Sequence, residues 1–90
     1  MSIKNITVES NYNPKNKVTV ELISTIDQEI SVNLYCQQSD DNLAEGDAKT
    51  VNLKKDKPTA VELNFGGWPN FEYWVYIFAG NTKAEIAINP

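Results

Sequence analysis

Ile30-Ser31-Val32-Asn33-Leu34-Tyr35-Cys36-Gln37 alternates without a break. Ile30, Val32, Leu34 and Cys36 share one parity; Ser31, Asn33, Tyr35 and Gln37 share the other. In an extended chain successive side chains point to opposite faces. One face of this stretch is therefore apolar and the other is amphipathic or polar. That is the signature of a half-buried β-strand.

The same period extends in both directions. Val18, Val20 and Leu22 alternate with Thr19 and Glu21, and Ile6 and Val8 with Thr7 and Glu9. Further on, Val51 and Leu53 alternate with Asn52 and Lys54, and Val61, Leu63 and Phe65 with Glu62 and Asn64. Phe71 to Ala79 is apolar on both parities, and Ala84, Ile86 and Ile88 alternate with Glu85 and Ala87. This makes seven candidate strands in one domain spanning residues 1–90. The gaps between them carry turn residues: Asn13-Pro14, Asp27, Lys55-Asp56-Lys57-Pro58 as a tight hairpin, a Gly66-Gly67-Trp68-Pro69-Asn70 corner, and Gly80-Asn81 as a two-residue hairpin turn. Only Ser39 to Lys49 breaks the pattern. It reads as an acidic loop with one helical turn, capped by Ser39 or Asp40 and stopped at Gly46.

Strands with one apolar face need a second layer, and no helix is available to supply it. Seven short strands in 90 residues predict an all-β, two-sheet antiparallel sandwich. The corner Trp68-Pro69-Asn70-Phe71-Glu72-Tyr73-Trp74-Val75 resembles the immunoglobulin-like and fibronectin type III-like fold, with a tyrosine two residues before an inward Val75. The resemblance covers the whole chain at the level of pattern. It implies an immunoglobulin-like Greek key. The first, second, fifth and fourth strands form one sheet, and the third, sixth and seventh form the other. It also implies that Tyr73 bonds back to the backbone at the corner. The chain lacks the cysteine pair and the strand tryptophan of antibody domains.

Composition narrows the chemistry. Arg and His are both absent, and the net charge is −4. Nucleic-acid recognition relies on a basic surface and on the arginine fork, so no nucleic-acid partner is expected. A Ser-His-Asp or Cys-His mechanism and any His-ligated metal site are excluded. Cys36 is the single cysteine, which forbids an intramolecular disulfide; its parity marks it as a small buried hydrophobe. No apolar run is long enough to insert into a membrane as a helix. The first residues lack a signal-peptide core, so the chain is expected to be intracellular or exported with its signal removed. Asn5-Ile6-Thr7 fits the glycosylation triplet and is read as coincidence. Asp40, Asp41, Asn42, Glu45 and Asp47 crowd carboxylates together, but the spacing is not an EF-hand, and a solvated loop is expected. Gly66-Gly67 precedes a proline corner rather than a helix, so no phosphate cradle forms. No cofactor and no enzyme activity are expected.

The sixth strand carries the functional signal. With Tyr73, Val75 and Ile77 facing inward, Trp74, Tyr76 and Phe78 face out, and Tyr35 joins them from the third strand. Inverting the register only exposes the other apolar set. Three or four rings make a patch of several hundred Å². The plain alternative is that neighbouring side chains or the acidic loop cover it. The leading expectation is a non-enzymatic module whose outer face, through Tyr35, Trp74, Tyr76 and Phe78, docks a protein partner or a second copy. A carbohydrate-binding module is the alternative, stacking sugars on Trp74 and Tyr76 with Asn33, Gln37 and Glu85 as polar contacts. A structural accessory subunit of a phage or cell-surface assembly is the third. Trp68 is either a plug over the end of the core or a loop-tip anchor for a partner.

Overall fold

The computed structural model describes residues 1–10, 16–38, 43–68 and 71–89. Among the described residues seven strands form: β1 Ser2–Glu9, β2 Asn16–Ile23, β3 Gln28–Gln38, β4 Leu43–Leu53, β5 Thr59–Phe65, β6 Tyr73–Ala79 and β7 Thr82–Ile88. They build two antiparallel sheets, ordered β1-β2-β5 and β4-β3-β6-β7. The all-β, two-sheet sandwich is as expected. The Asn13-Pro14 turn lies outside the described residues.

The core is what parity dictates. Val18, Val20, Leu22, Val61, Leu63 and Phe65 from the first sheet meet Val32, Leu34, Cys36, Tyr73, Val75 and Ile77 from the second, all buried in one cluster. Alternation puts every second side chain between the layers, which is why neither sheet exposes its apolar face.

Three expectations need correction. The fourth strand was assigned to the sheet of the first, second and fifth, but β4 pairs with β3 along its length, Gln28 to Leu53 at one end and Gln37 to Leu43 at the other. Consecutive strands joined by a short connection pair readily, and β3 offers a long free edge. As a result Lys55-Asp56-Lys57-Pro58 is no hairpin. It carries the chain from one sheet to the other, with Asp56 at φ 59° and its N–H bonded to the Ser24 carbonyl at 2.8 Å. The segment from Leu43 to Lys49 is strand rather than loop or helical turn; Ser39 to Asn42 lie outside the described residues. Gly46 does not end a helix. It is the extra residue of a bulge between the Leu34–Asp47 and Tyr35–Glu45 pairs, and a Cβ there would meet Leu34 Cδ2 at 2.5 Å.

The third correction concerns Ile6, expected to face inward with Val8. It is exposed. Ile3 and Val8 both pack on the core, yet they differ in parity. An irregularity between Lys4 and Thr7 reconciles them, with Asn5 at φ 52°, and it turns Ile6 outward. Asparagine tolerates that backbone conformation better than most residues.

Connections are tied by polar groups. Ser24 is fully buried at the β2–β3 turn; its hydroxyl donates to the Ile26 carbonyl at 2.7 Å and accepts from Gln28 Nε2 at 2.8 Å. Buried Asn16 donates to the Gly66 carbonyl at 2.7 Å and pins the corner before β6. Gly80 opens the expected two-residue β6–β7 turn with φ 60°, while Asn81 has no positive φ, the pattern of a II′ turn.

Candidate functional site

The outer faces of the two sheets differ in chemistry. On β1-β2-β5 the outward side is mostly polar apart from Ile6 and Ile23, with Lys17 between Glu9 at 3.5 Å and Glu62 at 3.9 Å. On β4-β3-β6-β7 the outward positions align into rows. Glu45, Tyr35, Tyr76 and Glu85 form one row across the four strands. Leu43, Gln37, Trp74 and Ala87 form the next, and Ala48, Asn33, Phe78 and Lys83 lie on the other side. Neighbours within a row are about 4.8 Å apart.

The rows enclose a groove of about 370 Å³ lined by Tyr35, Gln37, Leu43, Tyr76, Phe78 and Lys83. Tyr35 and Phe78 meet edge to face, with centroids 5.8 Å apart and planes at 75°. The rings therefore make a contoured wall rather than one flat shelf. Phe78 is 37% exposed and Leu43 is 61% exposed; Tyr35, Trp74 and Tyr76 are half-buried. Lys83 lays its ammonium 5.0 Å from the Tyr76 ring centroid and 6.0 Å from that of Phe78. Desolvation raises the Tyr76 hydroxyl pKa, and so do the charge of Glu85 and the hydrogen bond between the two.

Of the five residues singled out in the sequence, the fold puts Tyr35, Trp74, Tyr76 and Phe78 on one face. Trp74 sits in the row beside the groove rather than in its lining. Trp68 is elsewhere in its role: half-buried, it packs edge-on against Tyr73 at 5.5 Å and covers the end of the core. Tyr73 also meets Phe65 at 6.3 Å and carries its hydroxyl beneath Gly67. Leu43 and Lys83 were missed. Leu43 was hidden inside a segment read as loop. Lys83 was visible as an outward residue of the last strand, but only register places it beside Phe78.

Cys36 is buried between the sheets. Burial pushes its thiol up to about 11, against the lowering effect of a backbone hydrogen bond from Gly67. The thiolate needed for nucleophilic chemistry is thereby disfavoured.

No protein-family model matches the chain, and no curated protein matches it in sequence. Solved structures do match in shape. One is DesR, a β-glucosidase from Streptomyces venezuelae in complex with D-glucose: TM-score 0.67, 13% identity, covering 97% of this chain and 14% of that one. Another is the GH3 β-glucosidase of Bifidobacterium adolescentis: TM-score 0.69, 14% identity, covering 98% of this chain and 17% of that one. At such identity the likeness is one of fold. The chain spans only a small part of those enzymes' length, about that of one domain.

Proposed function

We propose that this chain is a non-enzymatic interaction module that docks a protein partner on the outer face of β4-β3-β6-β7. One observation carries the reading: the opposite outer face is mostly polar and ion-paired, with Ile6 and Ile23 as its isolated apolar residues, whereas this one gathers Tyr35, Trp74, Tyr76, Phe78 and an exposed Leu43 around a groove. Exposed aromatic and aliphatic side chains around a concavity supply the anchoring contacts of protein interfaces.

The spacing of carboxylates supports the non-enzymatic part. Glu45 and Glu85 are the acids of the central row, and three strand spacings, about 14 Å, separate their backbones. Glycoside hydrolysis by paired carboxylates needs roughly 5–9.5 Å.

A sugar ligand is the second reading. It is favoured by Gln37 and the Tyr76–Glu85 pair beside the rings, and by the β-glucosidases that share the fold. The edge-to-face packing of Tyr35 and Phe78 fits a planar sugar less well than a protein side chain.

A photo-crosslinking residue placed at Phe78, and separately at Glu62 on the opposite face, tests the proposal in cells. A discrete protein adduct from position 78, absent from position 62 and lost on Tyr76→Ala, is expected. Equal adducts from both faces, or one indifferent to Tyr76→Ala, would falsify it. Saturable tryptophan fluorescence changes with glycans, lost on the same substitution, would instead favour the sugar.

A further inference from the structure

The charges on the aromatic face are not evenly distributed. Along the outward strand positions stand Glu29, Glu45 and Glu85 against Lys83 alone. Two of those glutamates bracket the tyrosine pair, in the order Glu45, Tyr35, Tyr76, Glu85. Glu85 stands directly opposite Tyr76 on the neighbouring strand, which places its carboxylate beside that ring. The whole chain is acidic, at −4, and contains no arginine.

The groove already shows what its rings attract. The Lys83 ammonium lies over Tyr76 and within reach of Phe78, although it is free to point into solvent. An aromatic face carries negative quadrupole density and draws a cation to it. Lysine reaches this position on a flexible stem and can withdraw. A guanidinium is better suited: it stacks on rings and presents donors to a neighbouring carboxylate such as that of Glu85.

We propose that the groove between Tyr35, Tyr76 and Phe78 receives an arginine side chain of the partner protein, with Lys83 as an internal occupant that it displaces. The proposal rests on the interaction reading above and adds the chemistry of the partner. A second copy of this chain fits poorly: it has no arginine to offer, and like faces would set glutamate against glutamate. An acidic partner would meet the same repulsion.

Amide NMR of the ¹⁵N-labelled protein, titrated with a blocked arginine tripeptide and its glutamate and leucine counterparts, tests this. The arginine peptide is expected to shift the amides of Tyr35, Tyr76, Phe78 and Glu85 saturably. Lys83→Met, which keeps length and removes the competing charge, should tighten that binding by about two- to fivefold. Glu85→Gln should weaken it by a similar factor. Both positions are exposed, and an unchanged spectrum elsewhere reports an intact fold. If the leucine peptide shifts the same amides as strongly, the face still docks a partner but the arginine assignment falls. It falls equally if the glutamate peptide matches arginine, or if Lys83→Met shows no saturable response to arginine.

Discussion

Gly67 holds φ 70° directly over the Tyr73 hydroxyl. A Cβ there would sit 2.2 Å from that oxygen and 2.5 Å from the ring carbon bearing it. Gly67→Ala must therefore strain the backbone and displace a ring buried at the end of the core. A loss of roughly 1–3 kcal/mol is expected in urea denaturation. Gly66→Ala is the control, because nothing lies within 4 Å of its Cβ position; it should cost less than about 1 kcal/mol. Cys36 gives a prediction with a pH window. Its folded pKa is raised to about 11 from the ordinary 9.0. The unfolded chain thus loses its thiol proton first, and folded stability declines as pH rises between those values. The decline is on the order of 2 kcal/mol across the window. Cys36→Ala should flatten that slope relative to the parent, whatever its effect at neutral pH. Parity in the sequence was enough to bury Cys36. The Gly67 constraint was not legible, because it arises from a ring that reaches the corner only after folding.

β4 behaves as a clasp between the sheets. Its inward Asp47 accepts from the Asn64 N–H at 2.9 Å, and Lys49 donates to the Glu62 carbonyl, both on β5. β5 is an edge strand of its sheet, so these side chains occupy backbone groups that would otherwise face outward. Asp47→Ala should speed hydrogen exchange at the Asn64 amide by roughly 5–30-fold, matching about 1–2 kcal/mol for a charge-assisted bond. Amides in the middle of β2 should not respond. An unchanged Asn64 rate would mean the clasp carries no local stability. The Leu43–Lys49 half of this strand was illegible because it lies largely exposed. Alternation appears only where one face is buried, and polar residues on both parities resemble a loop. Ile6 was misread for a related reason: a bulge shifts parity by one residue and leaves no mark in an apolar pattern.

At the scale of the molecule, one strand serves two purposes through alternate residues. Val75 and Ile77 of β6 seal the two layers together, while Tyr76 and Phe78 face the groove. The inner set was readable from period two, and so was the presence of rings on the outer side. Which strands flank them was not, since the register of β3, β4 and β7 against β6 brings Leu43 and Lys83 to the groove. The division of labour makes a sharp prediction from two substitutions of the same kind. Val75→Ser leaves a cavity and a hydroxyl between the sheets, and should lower stability by about 2–4 kcal/mol. Phe78→Ser removes a larger side chain from a partly open face, and should cost no more than about 1 kcal/mol while abolishing partner binding. Denaturation midpoints of the two variants measure the contrast directly. Comparable losses at both positions would mean that Phe78 is part of the packing that holds the domain together, and the groove would then be a feature of the fold rather than a docking surface.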